Sequence, residues 1–218
     1  LDTICIMKKI GFSLDEIKTH MKSYTLDTSV VALRKQLTII DRQIQELQLI
    51  KSRVEHRCLQ LEHSATIHNS NVSVENVKPQ HILLQEVAAP YTLEMVSMAT
   101  KKCFVRSFKE QLPIFFQSGA VVPIERIQLG RYIEASHVFL PIEKSTAKGV
   151  TELPAGRCVI AYHTGDYHSI GKTYERILEY CRSHHLKIVS DSYEFAINDY
   201  LSTGNEAEYI TKIMFYVE

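Results

Sequence analysis

Tryptophan is absent from this 218-residue chain, and so are several motifs that would point to a well-known enzyme class. There is no GxSxG nucleophile motif and no glycine-rich phosphate loop, which argues against a serine hydrolase and a nucleotide-binding enzyme. No run of 18 apolar residues and no signal-peptide pattern occurs. Basic and acidic side chains both number 25, so no overall positive charge indicates nucleic acid. A DNA-binding function would therefore need a motif.

Cysteine is sparse, and no two cysteines form a CxxC pair. The odd number of scattered cysteines is typical of a reduced, cytoplasmic protein. The histidines at 163 and 168 and at 184 and 185 do not have zinc-ligand spacing with cysteines, apart from Cys181 three residues before His184. We therefore expect no metal and no cofactor.

The most informative positive feature is a strict seven-residue repeat that lasts about four heptads. A repeat of 3.5 residues per turn keeps one narrow stripe of a helix facing a partner and implies left-handed supercoiling. We call this stripe the heptad seam, and all of its positions except Lys51 are apolar. The alternative is an amphipathic helix that packs on its own domain. The heptad seam consists of Leu33, Leu37, Ile40, Ile44, Leu47, Lys51, Val54, Cys58 and Leu61.

The N-terminal part is expected to be helical. Gly11 is a predicted helix stop, and Ser13 followed by Glu16 three residues later is a capping-box pattern. Phe12, directly before the cap, is expected to pack against Ile17. The predicted elements are helices at 3–10, 14–23 and 28–62, followed by a linker at 64–78.

After the linker the hydrophobic period changes from 3.6 toward 2, and one order of elements occurs twice. An offset of 66 residues aligns Phe104 with Ile170, Phe108 with Tyr174 and Leu112 with Leu178. Two such copies predict a pseudo-twofold α+β domain with a cleft between its halves. The predicted elements are strands at 81–87 and 91–98, a helix at 103–117, a strand pair within 120–142 broken at Gly130, strands at 150–153 and 157–163, a helix at 168–184, and strands at 186–191, 194–200 and 208–217.

Glu194 stands out because aromatic residues surround it in the sequence. On a strand it would share one face with Ala196, and Tyr193 and Phe195 would share the other. One interpretation is a surface glutamate at the start of a strand. The other is a carboxylate at the bottom of an aromatic cleft, which would favour cations. Further aromatic candidates lie near the turns predicted to form the cleft or on the last strand, and they are Tyr132, Tyr162, Tyr167 and Tyr209.

Residues Leu1 to Met21, and above all Ile10–Lys18, resemble the MerR family of bacterial transcription regulators. The heptad helix follows at the place of that family's dimerisation helix. Residues 79–218 resemble the GyrI-like effector-binding domain through Leu153–Arg157, His163–Tyr167 and Asn198–Tyr200. The resemblance implies domains at 1–27, 28–63 and 79–218 joined by the linker. It also leads us to expect a fragment from which most of the winged helix-turn-helix is absent.

This resemblance implies a homodimer with an antiparallel coiled coil, with promoter DNA and RNA polymerase as partners. Activation would work by distorting promoter DNA, in response to lipophilic, cationic, drug-like ligands. It gives Glu194 the role of the acidic pocket base, with Tyr209 as a pocket tyrosine and Tyr167 and Ile170 on another wall. The predicted ligand-binding set is Glu194, Tyr209, Tyr167, Ile170, Tyr132, Phe108 and Tyr162.

Two departures from the family's pattern change the expectation. Pocket aromatics near Leu129 are replaced by aliphatics, which alters the expected ligand range, and Cys58 lies inside the heptad seam, unlike the cysteines of metal-sensing members. An alternative is a GyrI-like hydrolase with Glu194 as general base and Tyr209 or Tyr167 as acid, or a drug-sequestering protein. The coiled coil argues against an enzyme, because catalysis needs no long dimerisation helix. A purely structural coiled-coil protein would not need the α+β domain.

Overall fold

The computed structural model describes residues 2–22, 25–64, 66–67 and 72–218. The chain forms two compact units, Leu1–Arg53 and Val54–Glu218. Three helices occupy the N-terminal part, and they are α1 (Asp2–Lys9), α2 (Leu14–Lys22) and α3 (Leu26–Ser64). None of the helices among the described residues combines the length and apolarity needed to cross a lipid bilayer.

The turn between α1 and α2 confirms the predicted helix stop and capping box. Gly11 has a φ of 99°, a left-handed conformation that favours glycine. The backbone N–H of Glu16 donates to Ser13 Oγ, and the Ser13 N–H donates back to Glu16 Oε2 over 3.0 Å. Phe12, Met7 and Ile17 form the small buried core of this unit, as the predicted staple requires.

Helix α3 confirms the long helix and extends it by two residues at each end, to 39 residues. In the single chain most of the heptad seam is exposed; Leu37 is 58% exposed and Leu47 is 65% exposed. Its pairing with a second chain stays a prediction.

The second unit contains one eight-stranded antiparallel sheet with helices. Its elements are β1 (Ser73–Val77), β2 (Gln80–Glu86), α4 (Leu93–Lys109), β3 (Gly119–Val122), α5 (Ile124–Gln128), β4 (His137–Ile142), β5 (Val150–Leu153), β6 (Gly156–Thr164), α6 (Gly171–Ser183), β7 (Ser192–Asn198) and β8 (Ile210–Tyr216). The strand order is β1-β6-β8-β7-β3-β4-β2-β5. If β1 to β4 exchange places with β5 to β8, the same order results, read from the opposite edge of the sheet. The sheet therefore has the predicted pseudo-twofold symmetry.

The register of the repeat differs from the prediction. Strand β2 begins at Gln80 and its counterpart β6 at Gly156, an offset of 76 residues, where 66 was expected. The shorter offset wrongly aligns the end of β2 with β5. The sequence places β5 next to β6, but in the sheet β5 pairs with β2, and β1 pairs with β6. Each half therefore supplies the edge strand of the other.

Several other predicted elements are wrong, including the helix at 103–117, which in the structure ends at Lys109. The strand at 91–98 is the start of α4, because Thr92 Oγ1 caps the helix by accepting from the Met95 N–H. The strand at 186–191 is reduced to a single bridge between Ile188 and Val217. The expected linker at 64–78 contains β1, since Ser73–Val77 can pair with the edge of β6.

The two faces of the sheet carry separate cores. On one face α6 packs on β6 and α4 packs on β2 and β4. The opposite face has its own cluster, which includes Phe139, Ile160 and Phe195. On β7, Phe195 and Ile197 belong to that cluster, whereas Glu194 faces the helices, as the alternation predicts.

Candidate ligand-binding site

A cavity of about 220 Å³ lies over the centre of the sheet, on the side that carries the helices. Because β3 and β7 are adjacent at the pseudo-twofold axis, both halves of the domain contribute to its wall. We call it the Glu194 cavity. Its lining consists of Leu93, Val96, Ser97, Thr100, Ser118, Gly119, Ala120, Val122, Tyr132, Ile133, Ala135, Tyr167, Ile170, Glu194, Ala196, Tyr200 and Thr211.

Glu194 is the carboxylate in this lining, and it is only 8% exposed. Its strand position is fixed on both sides, by Ala120 of β3 and Ile213 of β8. Burial raises the pKa of Glu194 from 4.5 to about 7, and a hydrogen bond donated by the Tyr174 hydroxyl partly offsets that rise. The carboxyl group is therefore poised to change its charge near neutral pH.

Tyr174 is fully buried and holds Glu194 from the side of α6. Its hydroxyl also lies 2.9 Å from Ser192 Oγ. The pKa of Tyr174 is raised well above 10, by burial and by Glu194, so the hydroxyl stays protonated and available as a donor. The Tyr132 ring stacks on Tyr174 with centroids 5.4 Å apart and an interplanar angle of 10°. This stack supports the wall next to the carboxyl group.

Two glycines permit close approaches around the cavity. A Cβ at Gly119 would lie 2.1 Å from the Phe139 ring, and one at Gly171 would lie 2.6 Å from the Tyr132 ring. Glycine at Gly119 lets the central strands sit over a fully buried phenylalanine. Glycine at Gly171 lets Tyr132 approach the start of α6 and reach its stacked position. Both contacts explain why small residues stand at these places.

Three tyrosines cluster at another part of the site. Tyr167 and Tyr200 line the cavity, and Tyr209 lies beside Tyr167 with ring centroids 6.0 Å apart. Burial is the main cause that raises the pKa of each of the three. Their hydroxyls are therefore neutral at physiological pH, so Tyr167 and Tyr200 add aromatic groups without charge to the lining.

A buried ion pair connects the C-terminal part of α3 to the cavity wall. The Arg57 guanidinium lies 4.0 Å from Asp199 Oδ1 and donates a hydrogen bond of 3.0 Å to the Ile197 carbonyl. Asp199 is 1% exposed and also accepts from Ser118 Oγ over 3.3 Å. Burial raises the pKa of Asp199 and lowers that of Arg57, and each partner opposes the shift of the other. Because Ser118 and Tyr200 line the cavity, movement of this wall would affect the Arg57 contacts.

The chemistry of the lining suits an apolar cation. Aliphatic and aromatic groups supply most of the wall, and Glu194 is the titratable carboxyl group among them. No lysine or arginine stands in the lining to neutralise it. A cation would gain from the carboxylate and from the tyrosine faces in a site where water screens poorly. Among the described residues, no three His, Cys, Asp or Glu side chains gather as a metal site would require.

The structure brings most of the predicted ligand-binding residues together. Glu194, Tyr167, Ile170 and Tyr132 line the cavity, and Tyr209 lies beside Tyr167 outside the lining. The other two predicted residues lie elsewhere.

Phe108 is 60% exposed on α4, where its ring stacks on Phe104. Tyr162 lies on β6 with the cluster of the opposite face, because it alternates with His163 and Ala161. Neither of these two side chains lines the Glu194 cavity.

Sequence reasoning missed Tyr174, Ser192 and the α4 wall formed by Leu93, Val96 and Thr100. The spacing of Tyr167, Ile170 and Tyr174 follows a helical period and could have indicated Tyr174. The α4 wall was hidden because its first turn was assigned to a strand.

A family model described as the GyrI-like small molecule binding domain matches residues 70–218. The chain belongs to the GyrI-like family. The match confirms the resemblance seen in the sequence, and it includes β1. The Glu194 cavity lies entirely within the matched residues.

The similarity to known proteins extends beyond the GyrI-like domain. The chain is 21% identical over 218 residues to the multidrug-efflux transporter 2 regulator of Bacillus subtilis (strain 168), covering 99% of this chain and 78% of that protein. EcmrR, in a cryo-EM structure of the EcmrR–DNA complex in EcmrR-RPo, is 16% identical with a TM-score of 0.58 over 100% of this chain and 81% of that chain. The EcmrR C-terminal domain is 14% identical, with a TM-score of 0.57 over 68% of this chain and 97% of that chain. Both structural likenesses show a shared fold.

Proposed function

We propose that this protein is a bacterial transcription regulator of the MerR type that binds lipophilic cations in the Glu194 cavity. The observation that carries the proposal is a buried carboxyl group, with a pKa of about 7, at the base of an apolar and aromatic cavity. The name of the Bacillus subtilis relative, a multidrug-efflux transporter regulator, supports the regulatory part.

In this proposal the ligand acts by shifting an equilibrium between two states of a homodimer. Two chains would pair through the heptad seam in an antiparallel coiled coil. The Arg57–Asp199 pair supplies a physical route to the helix, because one partner stands on α3 and the other next to the cavity wall. A cation that moves Tyr200 or Ser118 would change the contacts of Arg57 and thereby the end of α3.

Promoter DNA and RNA polymerase are the proposed macromolecular partners, and the proposed location of the protein is the cytoplasm. DNA would be read by a winged helix-turn-helix of the kind that the family resemblance places ahead of α1. Distortion of the promoter by the dimer would activate transcription. The name of the EcmrR–DNA complex supports DNA binding as the proposed output.

A hydrolase is the second candidate, and the pKa of Glu194 favours it. A carboxylate with a pKa of about 7 suits a general base at neutral pH, and Tyr174 lies within hydrogen-bond reach. Incubation of the protein with bound compounds, followed by mass spectrometry, tests this reading. Turnover that disappears in Glu194→Gln would favour the enzyme over the proposed regulator.

Calorimetry with phenyltrimethylammonium tests ligand binding directly. At pH 8, where Glu194 is ionised, we expect Glu194→Gln to weaken binding by roughly a hundredfold, because the buried charge partner is lost. Glu179→Gln on the exposed face of α6 is the matched control and should bind like the wild type. Equal affinity of the wild type and Glu194→Gln would rule out the acidic site.

The regulatory part needs a separate test in the native host. Chromatin immunoprecipitation of the protein should enrich discrete promoters, and the transcripts next to them should change when a lipophilic cation is added. An absence of enriched promoters would refute transcription regulation while leaving the ligand-binding result intact.

A further inference from the structure

A second cavity, of about 420 Å³, lies on the face of the sheet opposite to Glu194. We call it the Lys212 cavity. The two cavities share β7 and β8, because alternate residues point to opposite faces. Glu194 and Thr211 line the first cavity, whereas Phe195 and Lys212 line the second.

Lys212 is an unexpected residue in this position. The other residues of β8 on this face, such as Met214, belong to the apolar cluster. The register sets Lys212 between Tyr162 of β6 and Phe195 of β7, and its Nζ lies 5.9 Å from the centre of the Phe195 ring. A methionine would fill the same space without a charge. A charge kept at a cost in stability is the pattern expected of a functional residue.

The Lys212 ammonium also has no strong partner in the domain. Within residues 54–64, 66–67 and 72–218, no hydrogen bond or salt bridge reaches it. Burial lowers its pKa, and Glu75 and Cys158 oppose that shift. The Glu75 carboxylate, which also lines the cavity, accepts a hydrogen bond of 2.7 Å from Ser73 Oγ. A desolvated cation with no anion within salt-bridge distance favours the binding of one.

We propose that the Lys212 cavity binds a small organic monoanion, a carboxylate with an apolar or aromatic body. Lys212 would pair with the carboxylate, and the side-chain amides of Asn76 and Gln80 in the lining offer neutral donors. Phe195 and Met214 in the same lining would contact the apolar body. Glu75 in the same lining disfavours a dianion such as phosphate, since Lys212 can offset one negative charge of the ligand and the second would meet a like charge.

Benzoate is the probe for this site, with benzamide as its neutral analogue and inorganic phosphate as the dianion, all at about pH 8, where phosphate is mostly doubly charged. Calorimetry should show saturable binding of benzoate to the wild type and binding roughly tenfold weaker to Lys212→Met, as expected when a charge-assisted hydrogen bond is lost. Lys187→Met, an exposed lysine, is the matched control. Benzamide should bind as weakly as benzoate binds to Lys212→Met.

A second measurement does not depend on a variant. In the wild type, the NMR signal of the Lys212 ammonium should shift with benzoate and stay unchanged with phenyltrimethylammonium. Lys212→Met should keep or raise the melting temperature and bind phenyltrimethylammonium like the wild type, because Lys212 does not line the Glu194 cavity. Equal benzoate affinity in Lys212→Met, no shift of Lys212 in the wild type, or phosphate binding as tight as benzoate would overturn the proposal.

Discussion

Glu194 should make the binding of a lipophilic cation depend on pH in a predictable way. Phenyltrimethylammonium is a suitable ligand because its quaternary nitrogen does not titrate, so any dependence between pH 5 and 9 arises from the protein. The cation is stabilised by the ionised form of Glu194, whereas burial favours the neutral form. Binding must therefore expel a proton at pH values below the pKa of Glu194.

The size of the effect follows from that pKa. Because the pKa of Glu194 is about 7, the fraction of ionised carboxylate falls about tenfold for each pH unit below it. The dissociation constant should be nearly constant above pH 8 and about tenfold higher at pH 6. The cation prefers the ionised carboxylate, so acid weakens its binding and base does not, and the raised pKa places this change near neutral pH.

Calorimetry in two buffers with different ionisation enthalpies measures both affinity and proton release. We expect most of one proton released per cation at about pH 6 and almost none at pH 8.5. Tyr174→Phe should move the midpoint upward by roughly one pH unit, because the hydrogen bond that holds the pKa down is lost.

Two controls make this reasoning refutable. Glu194→Gln should bind weakly at every pH without proton release, and Glu179→Gln should reproduce the wild-type profile. A flat wild-type profile, or the same slope in Glu194→Gln, would show that another group controls the site.

Three further predictions concern stability and assembly. Burial raises the pKa of Glu194 from 4.5 to about 7, so the free energy of unfolding of the wild type should fall as the pH rises from 4.5 to 7. In urea unfolding, Glu194→Gln should therefore be more stable than the wild type by about 3 kcal/mol at pH 8 and equally stable below pH 4.5. Arg57→Gln, which leaves Asp199 without its ion-pair partner, should lower the free energy of unfolding by about 2 kcal/mol, whereas the exposed Arg42→Gln should change it little; equal values would contradict the ion-pair account. The proposed dimer should be seen in sedimentation equilibrium and should become a monomer in Leu47→Asp; a dimer that persists in this variant would contradict pairing through the heptad seam.

Local patterns in the sequence predicted the features whose causes are local. The capping box at Ser13 and the helix stop at Gly11 are fixed by neighbouring atoms, and both are confirmed. The alternation around Glu194 correctly predicted which side chains share its face, because that follows from the pleat of any strand. The same reasoning could not decide whether Glu194 was buried, since burial depends on α6 and Tyr174.

Features set by distant parts of the chain were beyond the sequence patterns. The predicted offset of the repeat is wrong because β1 pairs with β6 of the second half and β5 pairs with β2 of the first half. No local pattern encodes such a pairing. Tyr162 and Tyr167 are both aromatic residues near turns, yet only Tyr167 reaches the Glu194 cavity. The strand assigned at 91–98 was wrong because the cap at Thr92 outweighs the strand preference of the residues around it.

One matched pair of ligands tests the central claim most directly. Phenyltrimethylammonium and tert-butylbenzene have nearly the same shape and differ in one positive charge. At pH 8, where Glu194 is ionised, the wild-type protein should bind the cation at least about tenfold more tightly than the neutral compound. Equal or tighter binding of tert-butylbenzene would contradict a cation-selective site built around Glu194.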